Sequence, residues 1–196
     1  MILAAGASER LGECKALALF AGRSGLERLA EAGAGFGDVA PLVIAGAHFE
    51  ALLEALPAHC EIALNPHWAD GRTSGIALAR KLRAGFDLCI APVDCPLVSR
   101  EVFDNLAAAW REHARPAEGW LAPYVEVHGA RRFGHPLVIG RELAQRVDTL
   151  EKNAPLRALR AQANPLLGVR CTDLAILDDL DTPADLVRLR ARFAHD

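Results

Sequence analysis

Short apolar runs alternate with amphipathic stretches along nearly the whole chain, and this alternation restricts the fold more than any other feature. The runs cover residues 2–5, 39–45, 61–64, 88–93, 120–125, 136–139 and 174–177. Between them lie stretches of helical period at 26–34, 49–56, 74–84, 101–113, 141–147, 156–162 and 183–193. Such an order predicts an α/β fold: a mostly parallel sheet with helices on both faces, in three αβα layers of Rossmann-like kind. Several boundaries carry their own signals. Ser24-Gly25-Leu26-Glu27 fits a capping box, Ser99 suits an N-cap before Val102 and Phe103, and Thr182-Pro183 places a cap before a helix-starting proline. No Pro/Gly/Ser linker divides the chain, and 115–119 reads as a surface turn, so residues 1–196 are expected to form one domain.

Composition narrows the function classes. Hydrophobic residues make up 52% and charged residues 24%, which excludes a disordered chain. A net charge of −3 supplies no basic field for nucleic acid or anionic lipid. The purely apolar runs are too short to span a membrane, and no basic, apolar leader precedes the first run. Cys14, Cys60, Cys89, Cys95 and Cys171 are scattered without a C-x-x-C pair, so a reducing, cytoplasmic setting is expected.

In open parallel sheets ligands sit beyond the carboxyl ends of the strands. This directs attention to the loops after Ala5, Leu64, Val93 and Leu177. The first reads Leu3-Ala4-Ala5-Gly6-Ala7-Ser8-Glu9-Arg10-Leu11-Gly12-Glu13-Cys14-Lys15. Gly6 and Gly12 let backbone N–H groups turn into one concavity, and Arg10 and Lys15 add two cations. That set suits a triphosphate, whose oxygens only accept; a glycine turn with two solvated cations has the same composition. The loop is neither G-x-x-x-x-G-K-[ST] nor G-x-G-x-x-G, so a redox dinucleotide fold loses its fingerprint.

Asp94 ends the fourth run. An acid there is costly unless it is paired or bound to a metal, and a helix cap is the other role open to it. Ser99 is the better cap. Asp178, Asp179 and Asp181 form a second acidic cluster, suited either to a cation or to the following helix N-terminus. Asn65 through Gly71 to Ser74 leads into a helix start that fits an anion or a base edge. Trp68 within it suits core packing equally well. Gly134-His135-Pro136 holds a lone loop histidine, ordinarily a surface hydrogen-bonding residue. The histidines at 48, 59, 67, 113, 128 and 195 show no metal-ligand spacing and read as structural or solvated. Cys95 reads as a small buried residue rather than a reactive thiol. No serine sits in a nucleophile elbow.

The first loop resembles the L-A-A-G-x-S-x-R-x-G-x-x-K signature of the MobA-like nucleotidyltransferases. Val93-Asp94-Cys95-Pro96-Leu97-Val98 is similar to that family's metal-binding segment, and Asp179-Leu180-Asp181-Thr182-Pro183 to its D-[IV]-D-T-P segment. Asn65-Pro66-His67-Trp68-Ala69-Asp70-Gly71 and Gly134-His135-Pro136 resemble segments of the molybdenum cofactor cytidylyltransferase branch. The resemblance implies the nucleotide-diphospho-sugar transferase type of fold and transfer of CMP from CTP to a phosphate-bearing acceptor, with release of pyrophosphate. It implies molybdenum-bound molybdopterin as acceptor, and a recipient molybdoenzyme or its chaperone as a further partner. Leu3, Ala4, Ala5, Gly6, Ser8, Arg10, Lys15, Asn65, Gly71 and Ser74 would then lie at the nucleotide, and Gly134, His135 and Pro136 at the acceptor. Arg10, Lys15 and Asp94 would carry catalysis, and Asp94 with Asp181 would hold Mg²⁺. Guanylyltransferase relatives usually carry glycine where Ala5 stands, and the added methyl group favours a pyrimidine. Residues 149–156 lack the glycine-aspartate turn of many relatives, a departure that bears on acceptor recognition. Two other functions fit the same residues: a same-fold transferase acting on a sugar phosphate, and a non-catalytic protein that binds nucleotide or cofactor for molybdoenzyme maturation.

Overall fold

The computed structural model describes residues 1–151 and 154–193. Strand β1 (Ile2–Ala4) runs into the glycine loop and a 3₁₀ turn at Lys15–Leu17. A small hairpin, β2 (Leu19–Phe20) and β3 (Arg23–Ser24), leads to helix α1 (Gly25–Gly33). Then come β4 (Leu42–Ala45), α2 (Phe49–Glu54), β5 (Glu61–Leu64), α3 (Arg72–Leu82), β6 (Leu88–Pro92) and α4 (Arg100–Glu112). The second half holds β7 (Trp120–Val127), β8 (Ala130–Phe133), β9 (Leu137–Ile139), α5 (Arg141–Gln145), β10 (Leu166–Arg170) and α6 (Pro183–Arg190).

The main sheet has the order β10-β7-β9-β6-β1-β4-β5, with β8 paired to β7. Strands β5, β4, β1 and β6 are mutually parallel; β9 runs against β6 and β7, and β10 runs parallel to β7. The period-two alternation of each strand divides the core between two faces. Ile2, Ala4, Val43, Ala45, Cys89 and Ala91 pack with Leu26 and Leu29 of α1 and with Phe103 and Leu106 of α4. Leu88 and Ile90 point the other way, toward Ile76 of α3 and Leu143 of α5, and Leu42 and Ile44 pack with Ala79 of α3. Each large side chain so removed from water contributes about 1.5–3 kcal/mol. Three layers result, as the alternation predicts.

The chain goes from β1 outward to β4 and β5, then returns past β1 to β6. Strand order therefore reverses between β1 and β6, and a crevice opens beyond their carboxyl ends. The loop after β1 and the loop carrying Asp94 flank that crevice.

Both capping boxes form. The Ser24 backbone N–H donates to Glu27 at 2.6 Å, and Thr182 and Asp185 exchange the equivalent bonds at the start of α6. Ser99 stands at the N-cap position of α4, but its hydroxyl makes no capping bond; its backbone N–H donates to Asp173 at 3.0 Å instead. Residues 174–177 are a 3₁₀ turn rather than a strand, begun by the Asp173 carboxylate accepting from the Ala175 N–H at 2.8 Å. Residues 156–162 are likewise 3₁₀, and α3 begins at Arg72, two residues before Ser74. Strands β8 and β10 lie outside the predicted runs. Of the 149–156 stretch and the histidines, residues 152, 153 and His195 lie outside the described residues.

Candidate active site

A cleft of about 400 Å³ opens at the carboxyl ends of β1 and β6. Its floor is the backbone of the first loop. Ser8 turns that loop: its φ of 56° is left-handed, which costs a non-glycine residue about 1–2 kcal/mol. The Ser8 carbonyl accepts from the N–H groups of Leu11 and Gly12, both at 3.1 Å, and its hydroxyl accepts from the Lys15 N–H at 3.2 Å. This bend delivers Lys15 to the cleft. The opposite rim is tied to the loop between β4 and α2. The Ala47 N–H donates to the Ala5 carbonyl at 3.1 Å, and His48 Nε2 donates to the Ala7 carbonyl at 2.9 Å. Gly46 permits this approach, because a Cβ there would collide with the Ala5 oxygen and the Trp68 side chain.

Charges alternate across the cleft. Arg72 Nη2 lies 2.6 Å from Asp94 Oδ2, Lys15 Nζ 3.0 Å from Asp94 Oδ1, and Arg10 Nη2 2.7 Å from Asp181 Oδ2. Lys15 also bonds Asp181 Oδ1, so one ammonium joins both acids. The Lys15 and Asp181 side chains are only 12% and 15% exposed, which keeps the pair largely out of solvent screening. Burial alone would lower the Lys15 pKa, but the bonds to Asp181 and Asp94 outweigh it and the net movement is upward. For Asp181 burial acts upward, and Lys15 and Arg10 bring the net shift down. Asp179 moves up, first by burial and then by repulsion from Asp181 and Asp94.

The acidic cluster is thus divided in its roles. Asp178 is buried and accepts from Arg192 at 2.6 and 2.7 Å and from Arg188 at 3.4 Å, which anchors the last helix. The Leu180 N–H donates to the Asp94 carbonyl at 2.9 Å, and Cys95 Sγ donates to the Asp178 carbonyl at 3.0 Å. Those two bonds stitch the segment bearing Asp181 onto the loop bearing Asp94. Cys95 is a buried structural residue as expected; burial, then Asp94, pushes its thiol far above the ordinary range.

Of the predicted nucleotide residues, Leu3, Ala4, Ala5, Gly6, Ser8, Arg10, Lys15 and Gly71 line the cleft. Asn65 and Ser74 do not. Asn65 Nδ2 donates to Ser74 Oγ at 2.8 Å, and Ser74 Oγ donates to the Gly71 carbonyl at 2.8 Å, so the two brace the loop from behind. Trp68 lines the cleft half-buried. Gly134 and His135 sit across Arg72 in an adjoining cavity, and Pro136 lies buried behind them after a cis peptide bond. Arg72, Gly46 and His48 are site residues that motif reasoning missed. Only Arg72 carried a signal, its place directly after Gly71 in the segment already singled out.

A model of the MobA-like NTP transferase domain matches residues 1–166. Among curated proteins, none matches the sequence. Several solved structures share the fold at low identity. Molybdopterin-guanine dinucleotide biosynthesis protein A from Archaeoglobus fulgidus is 19% identical with a TM-score of 0.74, covering 100% of this chain and 98% of that one. The 2-C-methyl-D-erythritol 4-phosphate cytidylyltransferase from Thermus thermophilus is 19% identical with a TM-score of 0.69, covering 98% and 96%. The manganese complex of Rv0371C from Mycobacterium tuberculosis is 16% identical with a TM-score of 0.69, covering 97% and 96%. Among the described residues, no helix is long and apolar enough to cross a membrane. With its glycine loop, paired acids and switch-point cleft, the chain belongs to the MobA-like NTP transferase domain family and is a nucleotidyltransferase of that type.

Proposed function

We propose that the protein transfers CMP from CTP to a phosphate-bearing acceptor, with molybdenum-bound molybdopterin as the acceptor its motifs imply, and that it works in the cytoplasm. The observation that carries this reading is the alternating row Arg10–Asp181–Lys15–Asp94–Arg72 along one cleft. Three cations beside a loop of backbone donors suit a polyphosphate. Gly6 supports the same use: a Cβ there would meet no protein atom within 4 Å and would project into the ligand space. Ala5 lines the cleft, and a methyl group there in place of glycine would favour a pyrimidine over a purine.

In the reaction an oxygen of the acceptor phosphate forms a bond to the α-phosphorus of CTP. The bond from that phosphorus to the α–β bridging oxygen breaks, and pyrophosphate leaves with the electron pair. Arg10 and Lys15 offset the charge that grows on the leaving group, and Arg72 faces the incoming phosphate. Positioning and electrostatics supply the catalysis, and no covalent bond to the protein is required. Two hard carboxylates from separate loops, meeting at one ammonium, form a donor set that fits Mg²⁺ with phosphate oxygens and water. When bound, the ion would add Lewis-acid stabilisation of phosphate charge. The test is pyrophosphate release with CTP and GTP in turn, given molybdenum-bound molybdopterin and Mg²⁺. CTP-dependent release supports the reading, and a preference for GTP or no release rejects it.

A further inference from the structure

The charges of the cleft are not equivalent. Arg10 and Arg72 each take an outer oxygen, Oδ2, of Asp181 and of Asp94, and their side chains are 70% and 68% exposed. Lys15 takes the inner oxygen, Oδ1, of both acids with the same nitrogen, and its side chain is only 12% exposed. The two inner oxygens therefore converge on a single ammonium.

Those oxygens stay close without help from Lys15. The Leu180 N–H bond to the Asp94 carbonyl, at 2.9 Å, and the Cys95 Sγ bond to the Asp178 carbonyl, at 3.0 Å, join the two acid-bearing segments by contacts that involve no cation. The exposed arginines orient the carboxylates from outside. Lys15 is equally fixed at its backbone: its N–H donates to Ser8 Oγ at 3.2 Å, and its carbonyl accepts from the Ala18 N–H at 3.2 Å. Only its flexible four-carbon stem is free to swing. Within the cleft, Glu9 is the one further acid among the described lining residues. It is exposed, so water and salt screen it and it makes a poor second seat for the ammonium.

A carboxylate pair of this kind suits a divalent cation that prefers oxygen ligands. The same two oxygens cannot serve an ammonium and a dication together, because two cations that close repel strongly where water is largely excluded. We infer that Lys15 competes with a divalent cation for Asp94 and Asp181, and that its side chain is a two-position switch, driven off the acids by the cation and onto the polyphosphate. The converse holds by linkage: a triphosphate that draws Lys15 away opens the acids, so each ligand strengthens binding of the other. Lysine suits the task because it carries a compact charge on a flexible stem, which a planar guanidinium does not. The inference rests on the nucleotidyltransferase reading for the polyphosphate, whereas the competition at the two acids is measurable without nucleotide.

The test titrates Mn²⁺ alone and reads the free ion by electron paramagnetic resonance. Lys15→Met is expected to bind Mn²⁺ about tenfold more tightly than wild type. Arg10→Met removes an exposed, screened cation from the same row and is expected to tighten binding by less than about threefold. Equal tightening in the two variants overturns the inference, and so does no tightening, or no Mn²⁺ binding, in Lys15→Met. Wild type supplies a second measurement that does not depend on a variant folding. The chain has three lysines, Lys15, Lys81 and Lys152, so isotope-labelled lysine gives a sparse nuclear magnetic resonance spectrum of side-chain nitrogens. Mg²⁺ alone is expected to shift the Lys15 signal and to leave that of Lys81, exposed on α3, in place. A wild type that binds Mg²⁺ with its Lys15 signal unmoved overturns the switch. CTP without metal is expected to move the same signal, and CTP that binds without moving it removes the second position. No CTP binding at all rejects the nucleotide reading, while the Mn²⁺ and Mg²⁺ results still decide the competition.

Discussion

The ammonium of Lys15 lies 3.0 Å from Asp94 and bonds Asp181 with the same nitrogen, joining the first loop to two acids from distant parts of the chain. Removing either acid therefore has two effects. It deletes a candidate metal ligand, and it frees a largely buried cation from half of its compensation.

Asp94→Asn separates the chemistry from the fold. The amide keeps the shape, its single oxygen can accept from either Lys15 or Arg72, and no core side chain changes, so the circular dichroism spectrum is expected to match wild type. Turnover with CTP and Mg²⁺ should fall below about a tenth of wild type, the loss expected of a metal ligand. Pyrophosphate release measures it, and higher residual activity argues against a metal at Asp94.

Gly46→Ala tests the close approach behind the loop. Its Cβ would press on the Ala5 carbonyl and on Trp68, and overpacking of this kind costs about 1–3 kcal/mol. A lower melting temperature and a higher KM for CTP are expected together. An unchanged KM would show that the β4–α2 connection does not set the cleft.

Acid titration should expose the Asp181 pair. Its folded pKa lies below the ordinary 3.8, so the unfolded chain binds the extra proton first. The stabilisation is fully present above about 3.8 and is lost as pH falls through the lowered folded value. Urea unfolding of wild type and Asp181→Asn between pH 2 and pH 6, an interval of about four units, is the measurement. The stability gap should be constant at the upper end and shrink at the lower. A gap that widens in acid contradicts the ion pair.

Arg192→Ala tests the anchor of the last helix. Asp178 is buried, while Arg192 is 39% exposed and Arg188 remains to pair, so the cost is modest, about 1 kcal/mol. Turnover is expected to fall further than this loss of stability explains, because Asp181 sits three residues from the anchor. Chemical unfolding and pyrophosphate release on the same preparation compare the two.

The layered fold and the first loop were legible because both are written locally, as period and as spacing. Ser24 and Thr182 announced their caps within four residues. Strands β8 and β10 escaped for physical reasons: β8 is exposed throughout and carries no apolar run, while β10 is an edge strand alternating between exposed and half-buried residues, its few apolar residues interrupted by Gly168. Residues 174–177 misled because a four-residue apolar run has no period of its own, and the Asp173 cap decided for a 3₁₀ turn. Gly46 and His48 serve the cleft through contacts with residues about 40 positions earlier, which no local pattern encodes. Asn65 and Ser74 were placed in the right neighbourhood but one layer too far forward, since their side chains satisfy each other.

The bond between Lys15 and Asp181 spans 166 positions of sequence. During translation the first loop emerges early, yet the second counter-charge of Lys15 is made much later. Until then the ammonium has no Asp181 to settle against, so the charge pairing of the cleft can close only after residue 181 has been made.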